Sequence, residues 1–500
     1  MTTAAPREKR LALTLGATLG VVSVAQALLA IDTTVVAVAL PTIGTEFGAS
    51  AASLSWVPNA YLMALAGSMP LWGGVGDRWG RQRTLLVGLA LFTAGSVMCG
   101  IAPTLPSLVV GRGIQGIGAG AIFALGLSLL TAVFPAERLG TATGVWIAAT
   151  AAGMCLGPPL GAVLEVSWGW RSLFWINVPL ALIALVVGFV AIPESRDPQR
   201  RSADITGGLL FLATVCLAIW GLHLVEDALL GESSFAIAAV TITMLAAVAV
   251  VLAWRERQAV DPVLAPDLLG NRVFRTLIAT GFLITFSHVG VLFLETYHFQ
   301  AVRGWDPLGS GLIILPLSLA IVGGGLASAR LGARLGPRTV AASGLVATAM
   351  GLGLLIGLAW GLPSPAVAIA NVLIGFGSGA ALPIVSSSAM LSVPRDRTGT
   401  ASALLNTARQ FGGAVGMAVL LIAMTILVLA ADLASLPVSA GEVTPTATTP
   451  PGHRIWAAAA IVEGNALDVA LSAAFATSAV AVLIAAWLAW RTLRNRESIA

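Results

Sequence analysis

Long apolar stretches separated by short polar gaps set the pattern of this chain. A run of roughly 20 apolar residues is long enough to cross a bilayer as a helix. Such runs recur near 12–40, 54–74, 84–103, 106–133, 141–164, 171–192, 204–226, 234–253, 275–299, 308–329, 339–360, 365–392, 399–430 and 469–490. The pattern predicts an all-α polytopic membrane protein with fourteen transmembrane helices, the first and thirteenth overlong. One polar position breaks the first run: LLAIDTTVVAVALP, residues 28–41, places Asp32 between apolar flanks. A charge near the bilayer centre costs roughly 2.5–3.5 kcal/mol on insertion scales, so Asp32 needs a partner.

Composition agrees with the pattern. Of 500 residues, 57% are hydrophobic and 10% charged, where a soluble domain carries roughly 25% charge. The isoelectric point near 9.5 does not indicate nucleic acid, because the basic residues fill the gaps between runs and form no basic face. With the N-terminus placed in the cytoplasm, the 27 basic residues fall on the inner side except Arg171, Arg303 and Arg454 outside and Arg112 and Arg409 within helices. The positive-inside rule therefore puts both termini in the cytoplasm. Trp168, Trp170 and Trp175 mark an outer boundary and Trp254, Trp487 and Trp490 inner ones, as interface anchors do.

The start MTTAAPREKR leads into an apolar run with no A-x-A-like site before Asp32, which reads as a retained first helix rather than a signal peptide. Cys99, Cys155 and Cys216 are far apart within apolar runs and read as small hydrophobes, with no metal site. The only lysine is Lys9, so no G-K-[ST] phosphate loop exists and ATP bound to this chain does not drive it. Scattered histidines and the lack of a G-x-S-x-G elbow argue against an enzyme and against a cofactor. The Pro/Thr-rich segment 431–468 reads as an external loop.

The chain also repeats itself. GDRWGRQR (76–83) recurs as GARLGPRT (332–339), an offset of 256; GIGAGA (116–121) recurs as GFGSGA (375–380), and PAERLGTAT (135–143) as PRDRTGTAS (394–402), both at 259. Kept order and spacing imply two six-helix halves, 1–192 and 275–500, with two inserted helices and linkers over 193–274. Two such halves around a central cavity are a rocker-switch transporter's architecture.

On these residues the chain resembles the major facilitator superfamily. GGVGDRWGRQR (73–83) matches its signature G-x-x-x-D-R-x-G-R, and fourteen spans with the Asp32 motif resemble its drug:proton antiporter branch. The resemblance implies a conformational latch at Gly73, Asp77, Arg78, Gly80 and Arg81, where Asp77 meets a helix N-terminus or an arginine. The second copy has Ala333 in place of Asp77, so the latch is asymmetric; Gln82 stands where a basic residue is common. GVWIAATAAGMCLGPPLG (144–161) follows the antiporter pattern through Gly144, Gly153, Gly157, Pro158 and Gly161. Its glycines offer close packing and its prolines a break in the hydrogen-bond ladder.

Arg112 begins an R-x-x-x-G motif in the fourth span, with Gln115 one turn on, and is the expected partner of Asp32. In the ninth span Glu295 lies seven residues after His288, on the same face. Glu295 is expected as a second protonation or cation site with His288 as modulator; the plain alternative is a residue touching water at the outer leaflet. Asn59, Tyr61, Phe123 and Trp146 are cavity candidates, and Arg409 is a gating or structural one. Asn59 replaces the aspartate of W-x-x-D-x-Y, which argues against divalent cationic drugs.

The sequence reading is therefore proton-coupled efflux of hydrophobic, cationic small molecules across the bacterial cytoplasmic membrane by alternating access. The proton gradient supplies the energy, and the chain works as a monomer with no nucleic-acid partner. The alternatives are a dedicated exporter of a native metabolite, self-made antibiotic or lipid, and a sensor that transports nothing.

Overall fold

A computed structural model describes residues 4–49, 51–195, 204–229, 234–259, 262–299, 303, 305, 307–357, 361, 364–394, 397–435 and 465–493. The greater part of the expected external loop 431–468, with Arg454, lies outside the described residues. Among those described, the chain forms sixteen helices: α1 (Ala4–Phe47), α2 (Ala51–Trp79), α3 (Arg81–Gly100), α4 (Leu105–Val133), α5 (Ala136–Trp168), α6 (Ser172–Trp175), α7 (Asn177–Ala191), α8 (Ile205–Leu229), α9 (Phe235–Gln258), α10 (Pro266–Gly270), α11 (Arg272–Tyr297), α12 (Pro307–Leu335), α13 (Pro337–Ile356), α14 (Ser364–Leu391), α15 (Thr398–Ser435) and α16 (Asn465–Thr492).

Eleven spans are long and apolar enough to cross a membrane on hydropathy and length alone, the one at Ser172–Ala191 joining α6 and α7. The remaining long helices, α2, α11 and α15, have 29, 26 and 38 residues and pack among the eleven, consistent with the fourteen spans expected. Pro179 explains the step between α6 and α7. It has no N–H to give the Trp175 carbonyl, so the ladder is interrupted at Trp175–Ile176. α5, by contrast, stays helical across Pro158 and Pro159, so the expected break in its ladder does not end the helix. The side chains of that proline pair lie outside the described residues.

Packing follows the repeat. In the first part of the chain α1 packs on α5, α4 on both α2 and α3, and α7 on α3 and α1. In the last part α11 packs on α15, α14 on both α12 and α13, and α16 on α13 and α11. The two sets meet where α5 crosses α12 and α2 crosses α15, with α4 against α15 and α14 against α5. α8 lies on α2, its Leu212 and Gly208 fitting against Gly67 and Leu71, and α9 packs on α8. The inserted pair is pinned at one end by the Arg255–Asp204 ion pair at 3.0 Å and by Glu256 accepting from the backbone N–H of Val263 and Leu264.

Candidate functional site

Asp32 is completely buried in α1, and its charge is fully partnered. Arg112 Nη1 donates to Asp32 Oδ2 at 2.5 Å; Gln115 Nε2 and Asn177 Nδ2 donate to Oδ1 at 2.8 and 2.7 Å. Arg112 is held in turn: Nη1 also donates to Gln115 Oε1, Nε donates to the Val57 carbonyl, and the guanidinium lies 4.2 Å from the centre of the Tyr61 ring. Gln115 Nε2 also donates to Ser96 Oγ. Four helices besides α1 thus converge on one carboxylate through α4, α2, α3 and α7. Such a site survives in a low dielectric because hydrogen bonds and the opposite charge replace water. Tyr61 and Gln115, cavity candidates from the sequence, belong to this sealed cluster.

The last part of the chain builds a second carboxylate site. Glu295, near the end of α11, is also completely buried, and Asn371 of α14 donates from Nδ2 to its Oε1 at 2.7 Å. The same Nδ2 donates to the Ile313 carbonyl of α12 at 3.0 Å. Among the described residues, Glu295 Oε2 and Asn371 Oδ1 have no hydrogen-bond partner. His288 is partly buried two turns earlier and makes no hydrogen bond to Glu295. The imidazole beside Glu295 in sequence is instead His298, buried against Phe299 and accepting at Nε2 from Arg303 Nε at 3.1 Å.

The 73–83 segment ties the two sets of helices together. Asp77 is sealed, with Oδ1 accepting from the backbone N–H of Gly399 and Oδ2 from the N–H and hydroxyl of Thr400, all at 2.8 Å. Those N–H groups belong to the first turn of α15, where an anion finds unpaired donors and the positive end of the helix dipole. Arg81 adds a 2.8 Å ion pair to Asp77. Gly73 allows the approach, since a Cβ there would lie 2.5 Å from the Ala403 Cβ and 2.8 Å from the Gly399 carbonyl. Gly80 caps α3 at φ 123°, a left-handed conformation natural only to glycine. Glu194 accepts from the N–H of Gln82 and Arg83 at that helix start, while the Gln82 side chain donates to the Gly188 and Phe189 carbonyls of α7. Arg78 is exposed.

The α5 glycines press on the Asp32 turn. A Cβ on Gly153 would lie 2.5 Å from the Ala27 carbonyl oxygen, one on Gly157 would run into the Thr34 hydroxyl, and one on Gly161 would come within 2.7 Å of Val35. Gly144, higher in the same row, instead meets the Gly325 carbonyl of α12 at 2.4 Å. One helix therefore fits against the carboxylate-bearing helix and against the opposite set.

Of the other candidates, Asn59 and Phe123 are partly buried, and Trp146 is sealed in the core with its indole N–H unpaired. Arg409 donates to Asn406 at 3.3 Å, and Asn406 donates to the Phe123 carbonyl across the α4–α15 contact. Arg409 Nε is buried without a partner, and no ion pair reaches Arg409 among the described residues. At the far end of α1, Glu46 accepts from the Trp170 indole and pairs with Arg171, both at 2.7 Å. Those contacts, Trp170 first and then Arg171, hold its carboxyl below the usual range.

Sequence reasoning missed Asn177, Asn371 and Glu194, and left unnamed the helix, α15, whose start Asp77 meets. For Asn371 a signal existed: it lies 259 residues after Arg112, the offset that relates GIGAGA to GFGSGA. Asn177 had none, being one amide in an apolar run.

Comparison with known proteins agrees with this picture. Residues 22–417 match the family model described as Major Facilitator Superfamily. The chain is 34% identical over 394 residues to the multidrug resistance protein Stp of Mycobacterium tuberculosis, covering 78% of this chain and 72% of that one. It is 32% identical over 487 residues to the puromycin resistance protein pur8 of Streptomyces alboniger, covering 96% and 92%. Among solved structures it resembles the human organic anion transporter MFSD10, with a TM-score of 0.65 at 15% identity over 95% of this chain and 99% of that one, a likeness of fold.

Proposed function

The chain belongs to the Major Facilitator Superfamily, and on that premise we propose that it exports hydrophobic, cationic small molecules in exchange for protons. It is a multi-pass protein of the bacterial cytoplasmic membrane, in a family of transporters rather than enzymes. The names of its relatives, a multidrug and a puromycin resistance protein, support efflux as the direction of transport.

The observation that carries the reading is the Asp32–Arg112 pair, sealed inside a membrane helix bundle at 2.5 Å. A buried carboxylate with so many donors is costly to assemble, and because five helices meet at it, any rocking of the halves must act on this pair. The division into halves 1–192 and 275–500, with 193–274 between, gives the moving bodies, and α5 is the pivot because its glycines fit both. The 73–83 end faces the cytoplasm, as the basic residues predict, and the Asp77 clamp on α15 holds that side closed. Its release admits substrate from inside; its return, with proton entry from outside, drives substrate out. No bound cofactor is needed, and the transporting unit is a monomer.

The test is efflux of ethidium from energised cells, with and without a protonophore, in wild type and Asp32→Asn. Collapse with the protonophore, and loss in the well-inserted variant, support the reading. Full export by Asp32→Asn removes Asp32 from coupling. A second reading, export of one native metabolite or self-made antibiotic, is favoured by Arg409, whose buried guanidinium has no ion pair and an Nε without a partner among the described residues, and so suits an oxygen-rich substrate. A narrow range across a panel of efflux substrates distinguishes it.

A further inference from the structure

Arg112 and Asn371 occupy the same place in the two repeats, four residues ahead of the GIGAGA and GFGSGA stretches. Each reaches the buried carboxyl on the first helix of its own half, Asp32 at 2.5 Å and Glu295 at 2.7 Å. The first pair is ionic, the second is not. Asp32 has both oxygens occupied by donors, which is the pattern of a carboxylate. On the second pair the amide hydrogens of Asn371 are taken by Glu295 Oε1 and the Ile313 carbonyl. What is left over is two acceptors, Glu295 Oε2 and Asn371 Oδ1, both buried and neither with a donor among the described residues.

Buried acceptors are seldom left unmade. Two on one contacting pair can be answered together by one hydrogen, carried by the acid and turned to the amide oxygen. Among the described residues no ion pair reaches Glu295. On α11 itself His288 stands two turns before Glu295 and His298 three residues after it, the latter already bonded to Arg303. α14 contributes Asn371 and α12 the Ile313 carbonyl. α15 brings Arg409 beside Gly281, about four turns away. α16 brings Ser478 alongside Ser287.

We infer that Glu295 is held here as the neutral acid, its Oε2–H donated to Asn371 Oδ1, and that this carboxyl, not Asp32, takes up and releases the exchanged proton. The inference rests on the proton-exchange reading above and assigns its carrier. The step is a plain protonation: one proton from the outer aqueous phase binds the Glu295 carboxylate and leaves it toward the cytoplasm when the halves rock. Asn371 is a positioning residue that gives the acid form its acceptor. Asp32, with donors on both oxygens, holds helices together.

The decisive measurement is hydrogen–deuterium difference infrared spectroscopy on the purified full chain at neutral pH, which sees a protonated carboxyl without any substrate. Wild type and Asp32→Asn should show a buried acid C=O band that is lost in Glu295→Gln. Asn371→Arg, which copies the first repeat, should also lose the band by turning the pair ionic. A band that persists in Glu295→Gln but disappears in Asp32→Asn overturns the assignment, as does the absence of any such band in wild type. Because Glu295→Gln keeps the size and can still donate to Asn371, its folding is checked by an unchanged thermal midpoint. In proteoliposomes the same variant should release ethidium down its gradient but lose proton-driven accumulation by tenfold or more; full accumulation overturns the coupling role. Should wild type move no ethidium at all, the export reading fails while the infrared band still decides where the proton sits.

Discussion

Asp32 and Glu295 are both sealed carboxyls, each touching the fourth helix of its own repeat, yet one is answered by a guanidinium and the other by an amide. The first site collects donors from α4 and α7, with α2 and α3 steadying those donors; the second has one donor and two idle acceptors. The two repeats offer similar scaffolds, and on the inference above a single position, Arg112 against Asn371, separates a structural ion pair from a site that can change its charge. Charge exchange in a membrane favours the less heavily partnered group, because each donor that stabilises the ion raises the cost of neutralising it.

The comparison can be broken most severely at its ionic side. Arg112→Met leaves Asp32 buried and uncompensated, and should cost about 3–5 kcal/mol, read as a lower thermal midpoint in detergent and weak membrane insertion. Asp32→Asn with Arg112→Met together should recover part of that loss. Next in size is the clamp. A Cβ on Gly399 would drive into Asp77, so Gly399→Ala should open the α2–α15 contact. The expected result is a more than tenfold rise in labelling of a cysteine placed at Thr398, a shift of about 1.4 kcal/mol or more; unchanged labelling would show that the contact does not govern closure.

Asn371→Ala sharpens the other side, removing one donor and one acceptor at a cost of about 1 kcal/mol. It should leave the Asp32 cluster and its stability untouched. The smallest effect belongs to Glu46, whose carboxyl is lowered by Trp170 and Arg171. A depressed acid stabilises the fold above its unfolded value, near 4.3, and loses that contribution as pH falls through the folded value. Since the pair is largely exposed, Glu46→Gln should lower stability by less than about 1 kcal/mol at pH 7. The difference from wild type should fade below pH 4.

How much of this could be read from the chain depends on the kind of signal. The helices were legible because apolar length has one meaning in a bilayer. The Asp32–Arg112 pair was legible because two charges in apolar helices of known neighbourhood must meet. Asp77 was legible as an anion at a helix start or beside an arginine, and it is both at once. The neutral partners were not: Asn177 and Asn371 carry no charge to betray them in an apolar run, and their meaning depends on what stands across from them. Trp146 and Tyr61, cavity candidates from the sequence, are sealed in the core of this structure. α5 was expected to lose ladder hydrogen bonds at Pro158–Pro159, and the helix nevertheless runs on through them to Trp168.

The Asp77 clamp has one more consequence. Its carboxylate is shut away from water and is met by backbone amides, two adjacent hydroxyl and guanidinium donors, and a helix end. Mobile ions screen exposed charges but hardly reach buried ones. A gate latched by surface salt bridges would loosen as a cell concentrates its cytoplasm in drought or osmotic shock. With the gating role proposed above, this one should keep its setting, so that the resting state follows the proton and the cargo and ignores the ionic strength of the fluid beneath it.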